Sequence, residues 1–304
     1  MVRIKKLFFK LFLIGLAFPF WISQKVPQTK NLPMIPEYQD SLYSGPKSMG
    51  KLENPKIDEA SGLAFSRTHQ GLMYTHNDSG GKPHVFVIDT LGKSVATIKL
   101  KGVRNRDWED IAVGPGPKKG VNYIYVGEIG DNDAKFDEIM IYRFPEPSNF
   151  QEEVEVVPEM LVLTYPDGPK DAETLMVDPI SQDVYILSKR DSANILYKVT
   201  QEDFKQDTVV LKRILELPFT MSVAGDISAC GTKILVKNYL MVFYWERKAG
   251  ETVEEAMARD PLILPYKPEP QGEAIAWHPS VDSYVTLSEK RFNIWPELYR
   301  YTKK

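Results

Sequence analysis

Cysteine is almost missing from this chain of 304 residues, in which Cys230 is the only one. An internal disulfide is therefore excluded, and stability must come from a hydrophobic core, for which 43% hydrophobic residues are ample. An excess of one charge sign is missing too, because 38 basic and 41 acidic residues are spread along the chain. Without a basic stripe to neutralise phosphates, we expect no nucleic-acid partner.

Several common catalytic motifs are also absent. The sequence has no Gly-x-Ser-x-Gly turn, no His-Glu-x-x-His helix and no Walker loop, since residues 114–120 read Gly-Pro-Gly-Pro-Lys-Lys-Gly. These absences exclude the motif-defined serine hydrolases, zinc proteases and P-loop nucleotide-binding proteins. Of the four histidines, we expect only His76 to lie where it could move protons.

Long apolar runs are confined to the N-terminus. Arg3, Lys5 and Lys6 precede the run from Leu7 to Ile22, which only Lys10 interrupts. This pattern is typical of an export signal, and the run is short for a transmembrane helix. We predict a signal peptide or N-terminal membrane anchor in residues 1–24, a linker in 25–44 and a single domain in 45–304. The protein would be exported to the periplasm, cell envelope or medium, with membrane contact only through its N-terminal segment.

An internal repeat is the main feature of the predicted domain. Five segments begin with an acidic residue followed by small and aliphatic residues, and their starts lie 50, 64, 53 and 47 residues apart. Each start is followed by short β-rich runs, such as Tyr123–Val126 and Val184–Leu187. Four strands at a period near 50 predict an all-β fold, a β-propeller of five blades with four antiparallel strands each. A sixth blade hidden in the 64-residue interval is the alternative.

The last repeat lacks its fourth strand, because the chain ends at Lys304 just after the third. Residues around Met49 to Glu53 can supply the missing strand. Such closure would remove the exposed sheet edges of an open array.

The acidic starts should converge on one end of the central channel, because each begins the innermost strand of a blade. At a separation of roughly 6 Å and an effective dielectric constant near 20, two such charges repel by about 3 kcal/mol. A ring of them must take up protons or bind a cation, and an irregular set of oxygen ligands suits Ca²⁺. We therefore expect calcium as cofactor; the alternative is that the acids join neighbouring blades through hydrogen bonds. The predicted metal ligands are Glu59, Glu109, Glu173, Asp226 and Glu273.

A second polar ring should lie on the same face, where the second strand of each blade ends. Its lysines would place positive charge beside the acids, which favours a small anionic ligand. Solvated turns rich in Asn, Asp and Gly are the alternative interpretation. The predicted catalytic residues are His76, Lys189 and Lys237, and the predicted ligand-binding residues are Asn77, Asp78, Asp131, Asn132, Arg190, Asn238, Glu289 and Lys290.

These segments together resemble a known family. Glu59-Ala-Ser-Gly-Leu-Ala, Asp107-Trp-Glu-Asp-Ile-Ala, Gly127-Glu-Ile-Gly-Asp-Asn and Gln271-Gly-Glu-Ala-Ile-Ala-Trp are similar to exported bacterial propellers of the SdiA-regulated type and related secreted propellers. The resemblance implies five blades, a leader and a calcium site, but no reaction. A more distant likeness, in the acid of each inner strand, is to calcium-dependent apyrases and lactonase or phosphotriesterase propellers; the shorter Asp226 departs from that pattern.

Two classes of function follow from these expectations. One is a calcium-dependent hydrolase acting on a phosphoester, ester or lactone at the channel mouth. The other is a non-catalytic module that binds an anionic extracellular or cell-envelope ligand. In either case we expect a monomer.

Overall fold

The computed structural model describes residues 42–304. The predicted leader, residues 1–24, and most of the predicted linker lie outside the described residues. No helix within residues 42–304 is long and apolar enough to cross a membrane.

The described chain is built almost entirely from strands. One short α-helix, α1 (Val253–Met257), is capped at its start by Thr252, and Asp203–Lys205 form a single turn of 3-10 helix. The strands are β1 (Lys47–Lys51), β2 (Ala60–Phe65), β3 (Leu72–Asn77), β4 (His84–Asp89), β5 (Ser94–Leu100), β6 (Trp108–Pro115), β7 (Asn122–Glu128), β8 (Ile139–Pro145), β9 (Glu153–Val156), β10 (Glu159–Thr164), β11 (Ala172–Val177), β12 (Val184–Ser188), β13 (Ile195–Val199), β14 (Thr208–Val210), β15 (Lys212–Glu216), β16 (Ser222–Ile227), β17 (Lys233–Asn238), β18 (Val242–Glu246), β19 (Leu262–Leu264), β20 (Ala274–Trp277), β21 (Ser283–Leu287) and β22 (Glu297–Thr302).

Five sheets form a five-bladed β-propeller, which confirms the predicted fold class. Blade 1 contains β2 to β5, blade 2 contains β6, β7, β8 and β10, and blade 3 contains β11, β12, β13 and β15. Blade 4 contains β16 to β19, and blade 5 contains β20 to β22 with β1. The innermost strands β2, β6, β11, β16 and β20 contact one another in that order, and β20 returns to β2. The ring is therefore closed, and it has five blades rather than six.

The long 64-residue interval contains an extra strand instead of a hidden blade. After β8 the chain leaves blade 2, and β9 adds to the edge of blade 1, parallel to β5. It then returns as β10, the fourth strand of blade 2. In the same way β14 adds to blade 2, parallel to β10. The β-rich segment from Val209 to Leu217, continuous in sequence, is thus divided between two blades.

The core lies in the five spaces between blades. Successive residues of a strand point to opposite faces, and both faces of each blade are covered by a neighbour. Each space accordingly holds one cluster of buried apolar side chains. Trp108 fills the space between blades 1 and 2, and Trp277 the space between blades 4 and 5.

Closure between the two ends of the chain is confirmed. Strand β1 pairs antiparallel with β22, with Lys47 opposite Arg300 and Lys51 opposite Glu297. Tyr43 adds a bridge to Lys303 just before this strand. Blade 5 is therefore built from both ends of the chain.

Candidate functional site

The candidate site lies where the inner strands begin, at the end of the channel that we call the mouth. At this end the ladder between the first and second strands skips one residue in blades 2, 3 and 4, which are Glu109, Glu173 and Val223. Such a bulge re-aims the side chain of the extra residue. Val223 lies 50 residues after Glu173, and Glu273 lies 50 residues after Val223. Glu273 is therefore the residue at the same point of the repeat in blade 5.

This register corrects the predicted ring in two places. In blade 1 the carbonyl of Glu59 accepts a hydrogen bond from a backbone N–H just beyond the second strand, as do the carbonyls of Asp107, Asp171 and Gln271 in their blades. Glu59, which is exposed, is thus equivalent to Asp107 and Asp171, and Ser61 occupies the position of Glu109.

Asp226 lies three residues beyond Val223, and the structure places it near the other end of the channel. There it accepts a hydrogen bond from the backbone of Trp277 at 2.7 Å and lines a cavity of about 10 Å³ with Arg67. Burial raises the pKa of Asp226 to about 7. It is not a member of the acidic cluster at the mouth.

Two groups of three carboxylates meet at the mouth, and Glu109 belongs to both. The Asp78 group consists of Asp78, Asp107 and Glu109, and the Asp171 group of Glu109, Asp171 and Glu173. Within each group one oxygen from every carboxylate lies within 4.8 Å of the others. Blades 1, 2 and 3 therefore contribute to one acidic surface.

Glu109 is the least compensated of these acids. Its side chain is 4% exposed, and no described residue donates a hydrogen bond to its carboxylate or forms an ion pair with it. Burial, together with the charges of Glu173 and Asp78, raises the pKa of Glu109 well above its ordinary range. Gly130 makes room for it, because a Cβ there would collide with Glu109 Oε1 and lie 2.6 Å from Asp107 Oδ2.

The other two acids of the Asp78 group are half-buried and reach solvent. Burial, with the charge of Glu273, raises the pKa of Asp78 to about 7. Burial, with the charge of Asp171, raises the pKa of Asp107 to about 6. Both shifts arise mainly from burial, and the charges of neighbouring acids add to it.

The Asp171 group is partly neutralised by basic side chains. Lys189 pairs with Glu173 Oε1, and Arg190 Nε lies 2.5 Å from Asp171 Oδ2. Burial acts to lower the pKa of Lys189, but the charges of Glu173 and Glu273 outweigh it, so the pKa is raised and the ammonium is charged. Glu173 Oε2 remains buried without a hydrogen-bond partner in the described chain.

A chain of hydrogen bonds connects Lys189 with blade 5. Its ammonium donates to the Tyr239 hydroxyl at 3.1 Å, which donates to Glu273 Oε1 at 2.5 Å. Burial and the charge of Glu273 raise the pKa of Glu289 to about 9, and Arg291 pairs with Glu289 at 3.0 Å. The predicted ligand Glu273 thus lies at the mouth, but outside both three-carboxylate groups.

The predicted catalytic residues differ in their surroundings. His76 is fully buried against Trp108, with ring centroids 5.6 Å apart, and burial lowers its pKa to about 4. Lys237 is also fully buried and donates to the carbonyl of Gly272, and burial lowers its pKa to about 8. Of the three, Lys189 alone contacts the acidic groups.

Three of the eight predicted ligand-binding residues contact only their own or a neighbouring loop. Asn238 accepts hydrogen bonds from the backbone of its own turn, and Asn77 donates to the carbonyl of Lys56 at 2.7 Å. The Lys290 ammonium lies 4.3 Å from the centre of the Trp295 ring. These contacts agree with the interpretation of solvated turns.

A second opening adjoins the Asp171 group. Asp131, Asn132 and Arg190, which were predicted to bind ligand, line a surface cavity of about 270 Å³ together with Asp171. The backbone of Asp131 donates to Asp171 Oδ1 at 3.0 Å, and Arg190 donates to Asn132. The cavity is thus joined to the acidic cluster through Asp171.

Sequence reasoning missed Asp107 and Asp171. The signal that could have found them is an Asp-x-Glu pattern, Asp107-Trp-Glu109 and Asp171-Ala-Glu173, at the same point of two repeats. Residues two apart in a strand lie on the same side.

No model of a known protein family matches this chain, and no curated protein matches its sequence. Similar solved structures include the WD40 domain of Neurospora crassa Pan2, at 9% identity over 88% of this chain and 97% of that chain, with a TM-score of 0.45. A chain of a nidogen/laminin complex covers 76% and 73% at 10% identity, with a TM-score of 0.44. Hydrazine synthase of Kuenenia stuttgartiensis covers 76% and 65% at 14% identity, with a TM-score of 0.38. At these scores the likenesses carry no argument, and the propeller assignment rests on the strand topology.

Proposed function

We propose that this protein is an exported β-propeller that binds a divalent cation, calcium, at its mouth, and that the Asp78 group holds the cation. The observation that carries the proposal is the meeting of three carboxylates from two blades, of which that of Glu109 is buried and receives no hydrogen bond from residues 42–304. An all-oxygen ligand set of this kind suits a hard cation, and the solvent that reaches Asp78 and Asp107 can complete the shell.

The bound cation would make the mouth a seat for a small anionic ligand. Lys189 lies beside the acids and stays charged, so it adds to the attraction for a phosphate or carboxylate group. The fully buried, neutral His76 favours binding over turnover, because it has no access to a proton acceptor in solvent. The resemblance to propellers of the SdiA-regulated type agrees with this proposal and remains a prediction, as do export and the monomeric state.

Calcium titration of the purified full-length protein tests the proposal. We expect isothermal titration calorimetry to show Ca²⁺ binding, and a thermal shift that a chelator reverses. Asp78→Asn should weaken binding by at least about tenfold, because one negative ligand is lost. Asp226→Asn is the matched control, since it removes a buried acid at the far end of the channel. A wild-type protein whose melting temperature and titration ignore Ca²⁺ would refute the proposal.

Hydrolysis of a phosphoester, ester or lactone is the second candidate. It is favoured by the half-buried position of Asp78 and Asp107, because solvent reaches them and a cation held there would polarise a water molecule or a phosphoryl or acyl oxygen. The calcium-loaded protein should then turn over substrates of one of these classes, and chelation should stop the reaction. Binding of an anion without turnover would leave the protein as a binding module.

A further inference from the structure

Glu109 occupies the middle of the acidic surface. It comes from blade 2, with Asp78 of blade 1 on one side and Asp171 and Glu173 of blade 3 on the other. Its carboxylate has two oxygens and receives no hydrogen bond from the described residues. A carboxylate in this position is able to contribute to a separate cation on each side.

The Asp171 group has unsatisfied oxygens of its own. Lys189 contacts Oε1 of Glu173, whereas Oε2 is buried and has no hydrogen-bond partner among residues 42–304. Glu173 is only 4% exposed, so water reaches this atom poorly. A buried acceptor without a donor is costly, and a cation between Glu173, Glu109 and Asp171 would remove that cost.

The charge of the mouth also leaves room for more than one ion. Six carboxylates, those of both groups and Asp131, face two basic side chains, Lys189 and Arg190, because the guanidinium of Arg106 pairs with Glu128 outside both groups. The formal charge of this set is therefore -4; one divalent cation would leave -2, and two would neutralise it. The second state removes the net repulsion of an anionic ligand.

From these observations we propose that the mouth holds two Ca²⁺ ions, one in the Asp78 group and one in the Asp171 group, with Glu109 as their shared ligand. This inference rests on the proposed function and adds a second ion to it. Two cations bridged by one carboxylate suit a phosphoryl group, whose oxygens can contact both.

The test is the number of Ca²⁺ ions bound per full-length chain, measured by calorimetry and by metal analysis after gel filtration. We expect two ions for the wild type and for the Asp226→Asn control. Asp78→Asn and Asp171→Asn should each leave one ion, whereas Glu109→Gln should weaken both binding events by at least about tenfold. Circular dichroism verifies that each variant is folded, and Glu173→Gln replaces Asp171→Asn if the latter is not.

The outcomes separate this inference from the proposed function. A single ion that is lost in Asp78→Asn and kept in Asp171→Asn and Glu173→Gln would overturn the second site and leave the first intact. Two ions that respond independently, with Glu109→Gln affecting one alone, would overturn the shared ligand. No bound ion at all would overturn both proposals.

Discussion

Glu109 and Asp110 are neighbours in β6 and are almost equally buried, yet their carboxylates differ in the hydrogen bonds that they accept. Asp110 Oδ1 accepts a hydrogen bond from Ile111 N at 2.9 Å, and its Oδ2 accepts from Leu175 N at 2.9 Å and Gly225 N at 3.3 Å. Glu109 receives none from the described residues. Adjacent strand residues point to opposite sides, so Asp110 joins three inner strands while Glu109 belongs to the mouth. Hydrogen-bond donors, not burial or charge, distinguish the structural acid from the candidate ligand.

Replacing Asp110 should have the largest effect. Asp110→Ala leaves the backbone N–H groups of Leu175 and Gly225 without acceptors in the ring centre, at a cost of roughly 1–3 kcal/mol each. We expect the free energy of unfolding to fall by about 2–6 kcal/mol to the same extent with and without Ca²⁺. Urea denaturation measures it. A loss of stability confined to calcium-loaded protein would contradict the structural role.

Replacing Glu109 should have the opposite pattern. Glu109→Gln keeps the shape and removes a charge that burial and neighbouring acids oppose, so the metal-free protein should be as stable as the wild type or more so. The stabilisation by Ca²⁺, about 2.7 kcal/mol at a hundredfold excess over its dissociation constant, should largely disappear. Melting curves with and without Ca²⁺ provide the measurement. Equal destabilisation in both conditions would show that Glu109, like Asp110, is structural.

Filling the space beside Glu109 should weaken binding more mildly. The Cβ of Gly130→Ala would push against the carboxylates of Glu109 and Asp107 without changing any charge. We expect Ca²⁺ affinity to fall roughly tenfold, about 1.4 kcal/mol, with little change in metal-free stability. Gly120→Ala offers a control for the glycine substitution, although its positive φ of 76° adds local strain. Calcium titration measures the affinity of both variants. An unchanged Ca²⁺ affinity in Gly130→Ala would show that the cation does not bind beside Glu109.

The most gradual effect should be a dependence on pH. Burial raises the pKa of Glu289 to about 9 and that of Asp78 to about 7, so the folded protein retains protons that the unfolded chain releases near pH 4. Stability in metal-free buffer should therefore fall as pH rises through about 5 to 9. Ca²⁺ affinity should rise over the same range, because the ligands must be ionised. A metal-free stability that rises with pH would show that these acids are not held in their protonated form.

The fold could be predicted from the sequence because each blade repeats the same four strands. The pairing of strands between blades could not be predicted, because the sequence pattern of a strand such as β9 does not indicate which sheet it joins. The 64-residue interval left a sixth blade as the alternative to the predicted five, but β9 accounts for that interval by joining blade 1. The split of Val209–Leu217 into β14 and β15 has the same origin.

The site could be predicted only in part, because the repeat shows residue types and not the register of the ladder. Asp226 was aligned by its charge, whereas the bulge selects Val223. In blade 1 we predicted Glu59 as a ligand, but the position equivalent to Glu109 lies two residues later and is occupied by Ser61. Which acids receive donors also depends on neighbouring blades, as for Asp110, whose donors come from β11 and β16.

Pairing of β1 with β22 has a consequence for the order in which the molecule is made. About 245 residues separate the two strands, so at roughly 5–20 residues per second β1 waits about 12–50 s for its partner during synthesis. Throughout that time the apolar side chains of blade 1 that face blade 5 are not fully covered, because blade 5 is incomplete. A chain that stops before Glu297 lacks the strand with which β1 pairs, so it cannot complete blade 5. Strand β22 thus decides whether the apolar surface shared by blades 5 and 1 is covered.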